Sequence, residues 1–217
     1  MPISFMKESG RDSDGFLVKI NMAEGFPNFF KAVGADAFFA RNLAHLVGQP
    51  IQCLQIGAYT GDATEWLFDN ILTHPDATLT DVDPWTGSDE PVHHQLDWGS
   101  VEEKYLERHQ DKIDSGKLKR FKGTSDDFFQ SEEGKRGFNF IYIDGNHEAA
   151  QVLKDGLNAI YRTGVGSIVA FDDYRWTSGK GLWADPKPAI EAIWFCHSNK
   201  FELIDKGEQI WLKRTSL

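Results

Sequence analysis

Hydrophobic positions along this chain follow two alternating patterns, and the alternation predicts the fold. Short apolar runs typical of buried strands are followed by segments in which apolar residues recur every three or four positions, as in amphipathic helices. The predicted strands are 51–56, 77–82, 118–122, 138–143 and 167–171, followed by a hairpin of 201–204 with 209–213. The predicted helices are 29–47, 62–72, 101–113, a short one at 126–129, 148–161 and 189–197.

Strand and helix alternate five times before the terminal hairpin. This order predicts an α/β fold, a Rossmann-like three-layer sandwich whose mostly parallel seven-stranded sheet ends in an antiparallel hairpin. Strand 138–143 (FNFIYI) is nearly all apolar, so we expect it to be buried on both faces. Ligands of such sheets bind at the carboxyl ends of the strands, so the residues directly after each strand are the candidates for chemistry.

The chain divides into two parts with different expected roles. Residues 1–28 are rich in turns and lack periodicity, and with helix 29–47 they form an N-terminal arm and helix, 1–48, that we expect to act as a lid or a dimer contact. Residues 49–217 form the main domain. The long polar stretch 84–99 and the loop 174–188 interrupt that domain and face the same end of the sheet in this topology.

Composition narrows the range of partners. The 217 residues carry 23 Lys and Arg against 33 Asp and Glu, a net charge of −10, which argues against nucleic acid and anionic membranes because both require a basic surface. No apolar run approaches the length of a membrane span, and the first residues do not resemble a secretory signal. We therefore expect a cytoplasmic protein that acts on a small molecule, with a homo-oligomer left open.

The two cysteines, Cys53 and Cys196, have no metal-ligand spacing. We expect two free thiols in the core, because disulfides are rare in a reducing cytoplasm. A single disulfide between them is the alternative that remains.

Three strand ends carry groups suited to a nucleotide. Gly57–Gly61 allow a sharp turn that brings backbone N–H groups and a helix N-terminus close to a ligand, although tight turns also need glycines for their own sake. Asp83 can accept two ribose hydroxyls or simply be a polar strand end before a proline. Thr124, Ser125 and Asp126 can flank a purine or cap the next helix.

The fourth and fifth strands are followed by carboxylates. Asp144 follows one strand, and Asp172 and Asp173 follow the next. Three anions gathered at one sheet edge repel one another unless a cation binds them, and oxygen ligands suit Mg²⁺, Mn²⁺ or Ca²⁺. The alternative is that Asp172 or Asp173 pairs with Arg175 or caps a turn. His147 is a candidate proton acceptor, for which Asp144 competes.

These residues resemble the class I S-adenosylmethionine-dependent methyltransferases, over roughly 50–175. Within that class they are similar to the metal-dependent O-methyltransferases typified by catechol O-methyltransferase and the macrocin-type sugar O-methyltransferases. The spacing carries the resemblance, since Asp172 and Asp173 follow Asp144 by 28 and 29 residues and His147 occupies the family's basic position. One residue departs from the pattern, because Gln55 stands where the family has an acid that binds the cofactor's ammonium group.

The resemblance implies an enzyme that transfers a methyl group from S-adenosyl-L-methionine to a hydroxyl of a sugar or natural-product diol, assisted by Mg²⁺ (or Mn²⁺ or Ca²⁺). It makes 49–217 the methyltransferase domain and His147 and Asp144 catalytic. It assigns Asp144, Asp172 and Asp173 to the metal. The residues that it assigns to the cofactor are Gln55, Gly57, Ala58, Tyr59, Gly61, Asp83, Thr124, Ser125 and Asp144.

Three other functions were weighed against methyl transfer. They are a metal-dependent hydrolase, a catalytically inactive module that binds S-adenosylmethionine, and an NAD-dependent dehydrogenase. The last ranks lowest because the first turn lacks GxGxxG. We expect the acceptor to be covered by the arm 1–28, by 85–98 and by 174–187 with Trp176 and Trp183. His93 and His94 are expected to be solvated rather than to bind metal.

Overall fold

A seven-stranded sheet organises the computed structural model, which describes residues 25–90 and 93–217. The predicted arm 1–28 therefore lies outside the described residues except for its last four positions. The strands are β1 Gln52–Ile56, β2 Thr78–Asp83, β3 Leu118–Lys122, β4 Phe138–Ile143, β5 Thr163–Phe171, β6 Phe201–Lys206 and β7 Ile210–Arg214. The helices are α1 Phe29–Ala32, α2 Ala35–Leu43, α3 Asp62–Asn70, α4 Trp98–Asp114, α5 Ser125–Gln130, α6 Ala149–Tyr161 and α7 Lys187–His197.

The strand order is β3-β2-β1-β4-β5-β7-β6, with β7 antiparallel to both of its neighbours and the other pairs parallel. This order confirms the predicted fold class. Strands β2 and β3 are added on one side of β1, and β4 and β5 on the other, so the strand order switches between β1 and β4. In such α/β sheets a ligand crevice opens at the switch point.

Apolar layers cover both faces of the sheet. Alternate residues of β4 divide between them, because Phe140 and Tyr142 join one buried cluster while Ile141 and Ile143 join the other. The expected burial of this strand on both faces is thus confirmed. On the first face Phe39 of α2 is fully buried, with its ring edge-on to those of Phe140, Tyr142 and Trp211 at 4.9–5.6 Å. The second helix is therefore anchored in the core that covers the sheet, although it belongs to the part of the chain, 1–48, predicted to stand apart from the main domain.

The prediction of a single helix over 29–47 was wrong, because the segment forms two helices. Gly34 takes a left-handed conformation with φ 71°, which ends α1 and starts α2 in a new direction. A short 3₁₀ turn at Ala44–Leu46 then completes the segment. Elsewhere β5 begins four residues earlier than predicted, at Thr163 instead of Ser167.

The two cysteines differ in environment. Neither is in a disulfide, as expected, and Cys53 is buried, but Cys196 on α7 is exposed. The expectation that both lie in the core was therefore wrong for Cys196, which occupies the outer face of its helix. Among the helices of the described residues, none combines the length and the apolar character that a membrane span requires.

Candidate functional site

A cavity of about 500 Å³ opens at the carboxyl ends of the parallel strands. Most residues predicted to act at the site line it, namely Gln55, Gly57, Ala58, Tyr59, Asp83, Thr124, Ser125, Asp126, Asp144, His147, Asp172 and Asp173. Gly61 is absent from the lining, because it lies behind the first turn against His109 of α4. The topology therefore brings five strand ends around one space.

The glycine turn after β1 touches the turn after β4. A Cβ on Gly57, whose φ is 86°, would lie 1.9 Å from the backbone oxygen of Asp144. A Cβ on Gly61 would lie 2.1 Å from Nε2 of His109, which sits 3.1 Å from the Gly61 carbonyl oxygen. Glycine is therefore required at both positions, because a side chain at Gly57 would collide with the end of β4 and one at Gly61 would collide with α4.

The carboxylate of Asp83 holds this turn in place. Its Oδ2 accepts hydrogen bonds from the backbone N–H groups of Ala58 at 2.8 Å and Tyr59 at 3.0 Å. Its Oδ1 accepts another from Trp85 N–H at 2.6 Å. A carboxylate has about four acceptor positions, so three are engaged within the protein and about one is left for a ligand. The ribose role of Asp83 stays a prediction, with room for one hydroxyl rather than two.

Gln55 presents an unsatisfied acceptor at the cavity wall. Its Nε2 donates to the Gly57 carbonyl oxygen at 2.8 Å. Its Oε1 is buried without a hydrogen-bond partner among the described residues, and the residue is only 2% exposed. A buried acceptor without a partner is unfavourable by about 1–3 kcal/mol, so a ligand N–H at this position would be stabilised.

The turn after β3 combines capping with a place in the cavity wall. The Thr124 hydroxyl accepts from the Asp127 N–H, and the Asp127 side chain accepts from the Thr124 N–H, which forms a capping box for α5. Ser125 Oγ accepts from Nε2 of Gln151 at 3.1 Å, and Asp126 pairs with Lys154. The capping role considered from the sequence is therefore confirmed, and the same turn lies in the cavity wall. The purine role of Thr124, Ser125 and Asp126 stays a prediction.

Asp144, His147 and Asp173 form a compact cluster in which one ligand atom from each lies within 4.8 Å of the others. Nε2 of His147 is 2.8 Å from Oδ2 of Asp173 and 4.0 Å from Oδ1 of Asp144. The Asp172 carboxylate instead accepts from the Tyr142 hydroxyl at 2.5 Å and from the Asp173 N–H at 2.9 Å. Arg175 pairs with Glu208 at 3.3 Å, so the alternative pairing of Arg175 with these aspartates was wrong.

Burial and the crowding of like charges shift the pKa values within this cluster. Burial, followed by repulsion from Asp172 and Asp173, raises the pKa of Asp144 well above its usual range. Burial and the neighbouring Asp173 raise the pKa of Asp172 to about 6. Burial lowers the pKa of His147, but the carboxylates of Asp173 and Glu90 outweigh it and leave that pKa well above its ordinary value. Carboxylates with this mutual repulsion are suited to binding a divalent cation.

Glu90 is a member of the site that sequence reasoning missed. Its Oε1 lies 2.9 Å from Nδ1 of His147 and accepts from Ser88 Oγ at 2.8 Å. Burial raises the pKa of Glu90, but contact with His147 and the nearby histidine charges outweigh it and bring it to about 2. Glu90 lies in the polar stretch after β2, where one acid among several polar residues gives no periodic or motif signal.

The histidine pair 93–94 does not join the cluster. Nε2 of His94 lies 3.3 Å from Oδ1 of Asp89, and the His94 side chain is 62% exposed, as expected of a solvated residue. His93 is half-buried, with Nδ1 2.7 Å from Ser88 Oγ, so it supports the polar stretch rather than facing water.

Backbone strain is concentrated around the cavity. Tyr59, Trp85 and Asp173 are the non-glycine residues with positive φ in the described part of the chain, at 53°, 51° and 55°. Each follows a different strand end, and left-handed conformations of such residues are uncommon. Strained positions of this kind cluster at functional sites, where the surrounding contacts enforce them.

A smaller cavity of about 110 Å³ adjoins the first near His147, Glu90 and Trp176. The Trp176 ring packs on the His147 ring with centroids 5.0 Å apart. Lys180 pairs with Asp89 at 3.1 Å across the opening, and Trp183 is 62% exposed beside it. This second space is open to a molecule that approaches the histidine from outside.

The loop between β5 and α7 closes on itself. Both oxygens of Asp185 accept hydrogen bonds from residues seven or eight positions earlier, at 3.0 Å from the Thr177 hydroxyl and 2.8 Å from the Ser178 N–H and Oγ. The middle of the loop is therefore fastened to its last residues.

Asp81 lies outside the cavity, and its burial leads us to expect that stability depends on pH. It is fully buried, accepts from the Thr64 and Tyr105 hydroxyls at 2.7 and 2.8 Å, and burial raises its pKa from 3.8 to about 7. An acid with a raised folded-state pKa stabilises the fold at low pH and loses that contribution as pH rises, here between about 4 and 7. Over this pH range the free energy of unfolding falls by at most about 4 kcal/mol because of Asp81.

We expect Asp81→Asn to flatten this part of the pH profile of unfolding free energy. Urea unfolding of both proteins at pH 5 and pH 8 measures it, and the variant should lose less stability between the two pH values. An equal loss in both proteins would contradict the assignment to Asp81.

A sequence profile for the methyltransferase domain matches residues 54–174, more than half of the chain. No curated protein sequence gives a significant match. One similar solved structure is the O-methyltransferase TomG from Streptomyces achromogenes in complex with SAM, at 14% identity and TM-score 0.56, covering 83% of this chain and 78% of that one.

Two further structures have similar folds. An O-methyltransferase from Bacillus cereus in complex with SAH has 13% identity and TM-score 0.58, covering 83% of this chain and 80% of that one. The calicheamicin methyltransferase CalS11 has 12% identity and TM-score 0.59, covering 85% and 79%. Identities this low show a shared fold alone.

Proposed function

Because the chain belongs to the methyltransferase-domain family, we propose that it transfers a methyl group from S-adenosylmethionine to a hydroxyl of a small molecule, assisted by a divalent metal ion. The observation that carries this proposal is that one cavity is lined both by the residues predicted to bind the cofactor and by those predicted to bind the metal. Its first part is lined by the glycine turn, Gln55 and Asp83, and the Asp144, His147 and Asp173 cluster lies farther along the same wall.

The first part of the cavity fits the cofactor. The unpaired Oε1 of Gln55 suits an N–H donor such as the ammonium group of the methionine portion, in place of the acid expected there. Asp83 retains acceptor capacity for a ribose hydroxyl, and Ser125 lies farther along the wall near the expected purine. When bound, S-adenosylmethionine supplies a methyl group already activated by a positively charged sulfur.

The acidic cluster fits a divalent metal with oxygen ligands. Asp144 and Asp173 would bind it, with Asp172 beside them and His147 within reach. Burial and mutual repulsion raise the pKa values of Asp144 and Asp172, and such an ion would offset both. When bound, Mg²⁺ or a similar ion lowers the pKa of a coordinated hydroxyl.

His147 is the proposed proton acceptor. Nε2 of His147 would accept the proton that the acceptor hydroxyl loses when its oxygen is methylated. The raised pKa of His147 depends on the Asp173 carboxylate. The base role therefore requires Asp173 to be engaged elsewhere, as it would be with a bound cation.

Aromatic residues before β1 lie at the cavity, in the segment 1–48 that we propose as a cover for a methyltransferase domain, 49–217. Phe29, Phe30 and Val33 line the cavity, and the Phe29 ring lies 5.2 Å from that of Tyr59. We infer that this segment covers the bound cofactor.

The second cavity favours a polar acceptor such as a sugar or another diol. Its wall combines the rings of Trp176 and Trp183 with the side chains of Ser88, Asn146 and Ser178. Aromatic faces beside hydrogen-bonding groups suit a hydroxylated ring. The negative charge of the protein agrees with a small-molecule acceptor rather than a nucleic acid.

Two measurements test the proposal. S-adenosylhomocysteine should raise the melting temperature of the protein with or without chelator, because the predicted cofactor contacts other than Asp144 lie outside the metal cluster. Transfer of labelled methyl groups to a panel of sugars and catechols should be abolished by EDTA and restored by Mg²⁺. Absence of stabilisation would favour the hydrolase alternative, and full activity in EDTA would remove the metal from the proposal.

A further inference from the structure

We propose that Arg108 of α4 is a positioning residue that holds the glycine turn, 57–61, in the shape that receives S-adenosylmethionine. This inference rests on the proposed function, in which that turn binds the methionine portion of the cofactor. Arg108 is not among the residues that line the cavity, so it would act on the cofactor through the turn alone.

The glycine turn contains a backbone conformation that its surroundings must maintain. Tyr59 has a φ of 53°, which lies in the left-handed region that residues with a side chain rarely adopt. Such conformations persist where neighbouring contacts enforce them. The carboxylate of Asp83 supplies part of this support, because it accepts from the N–H groups of Ala58 and Tyr59. The remaining support comes from donors that bind the carbonyl oxygens of the turn.

Two side chains from outside the turn donate to these carbonyl oxygens. Nε1 of Trp85 donates to the carbonyl oxygen of Tyr59 at 2.9 Å, and Nη1 of Arg108 donates to that of Thr60 at 2.9 Å. Trp85 follows β2, as Asp83 does, whereas Arg108 belongs to α4. Arg108 is therefore the contact that ties the turn to a helix beyond that strand end.

The guanidinium of Arg108 also joins the turn to the first residues of α3. Its Nη1 donates to Oδ1 of Asp62 at 2.7 Å, and its Nη2 pairs with the carboxylate of Glu65. The Arg108 side chain is only 17% exposed, so these ion pairs are largely shielded from water. Asp62 lines the cavity. Arg108 thus fixes the position of a carboxylate in the cavity wall as well as a carbonyl oxygen of the turn.

Three acceptors around one side chain suit the geometry of arginine. A guanidinium presents its N–H donors in a rigid plane, whereas the ammonium group of lysine is a compact charge on a flexible stem. Arg108→Lys would therefore keep the charge that pairs with Asp62 and Glu65 but lose the rigid arrangement of donors. Lys104, one helical turn earlier on α4, is 44% exposed and pairs with Glu107. Lys104→Ala is consequently a matched control that removes a cation from the same helix.

Hydrogen exchange of backbone amides tests whether Arg108 holds the turn before the cofactor binds. Mass spectrometry of a peptide that spans 57–61 should show faster exchange in Arg108→Ala than in the wild type, because the N–H groups bonded to Asp83 open more often. Peptides from β4 should exchange equally in both proteins. S-adenosylhomocysteine should restore slow exchange to the turn of the variant, and Lys104→Ala should match the wild type.

Affinity and turnover provide a second test. Calorimetry should show that Arg108→Ala binds S-adenosylhomocysteine about 10- to 100-fold more weakly than the wild type, as expected when hydrogen bonds of a charged group are lost. Arg108→Lys should lie between the two. The KM for S-adenosylmethionine should rise in parallel, whereas kcat at saturating cofactor and the KM for the acceptor should match those of the wild type.

The inference would be overturned by unchanged exchange of the turn in Arg108→Ala or by unchanged affinity for S-adenosylhomocysteine. A general structural role would also contradict it, and would show as faster exchange across the sheet together with a lower kcat. If Arg108→Ala does not fold, the same comparison between Arg108→Lys and the wild type decides. Failure of the proposed function shows separately, as a wild type that S-adenosylhomocysteine does not stabilise while exchange of its turn still depends on Arg108.

Discussion

Asp144→Asn should abolish methyl transfer and yet stabilise the metal-free protein. Asp144 shares the cluster with Asp173 and His147, so its loss removes a predicted metal ligand. A bound metal contributes several kcal/mol to such reactions, and each 1.36 kcal/mol is a factor of ten, so we expect at least a roughly 1,000-fold drop in rate. The assay is transfer of labelled methyl groups in the presence of Mg²⁺.

The gain in stability follows from the same charges. Burial and the neighbouring Asp172 and Asp173 raise the pKa of Asp144, so its ionised form destabilises the folded state. The neutral amide removes this repulsion at pH 8, and the gain should disappear at low pH, where Asp144 is protonated in both states. Thermal melts in EDTA at the two pH values measure it. Asp69→Asn, at an exposed position on α3, is the control, and a destabilised Asp144→Asn would contradict this account of the cluster.

Gly57→Ala should disrupt the cofactor part of the cavity and destabilise the fold. The added methyl group would lie 1.9 Å from the Asp144 carbonyl oxygen and 2.6 Å from its carbon, and φ at Gly57 is 86°. The obstruction is backbone, so β1 and β4 must separate to relieve it. Overpacking and a left-handed alanine together cost about 2–5 kcal/mol. Urea unfolding and the shift in melting temperature with S-adenosylhomocysteine measure both effects.

Gly164→Ala is the matched control for this substitution. Gly164 lies on β5, nothing lies within 4 Å of an added Cβ, and its φ is outside the left-handed range. We expect this variant to retain stability and cofactor binding. If Gly57→Ala behaved in the same way, the close approach of the two turns would not be a requirement of the site.

The sequence predicted those parts of the structure that depend on local periodicity. Alternation of strands and helices was enough to predict a mostly parallel sheet, because parallel strands are joined by crossover helices. It was also enough to place Asp83, Asp144 and Asp173 around one cavity, since strand ends in such a sheet share an edge. The break at Gly34 was missed because the apolar spacing continues across it, and a change in helix direction leaves that spacing intact.

The contacts between individual side chains could not be predicted from the sequence pattern. Asp172 and Asp173 are adjacent in the chain, but one accepts from the Tyr142 hydroxyl and the other contacts His147. Glu90 meets His147 across 57 positions of chain, a contact that only the packing of the segment after β2 creates. Such pairs depend on where a loop closes in space, which no periodic pattern encodes.

The loop between β5 and α7 has a consequence for how this protein can change over evolutionary time. Asp185, near the end of the loop, is tied to Thr177 and Ser178 in its middle, while Lys180 pairs with Asp89 on the opposite side of the opening. Residues 179–183 can therefore diversify in sequence and length without disturbing the sheet or the histidine. In the proposed function, a different acceptor could then be accommodated by changes in this segment alone, without changes to the glycine turn or the acidic cluster.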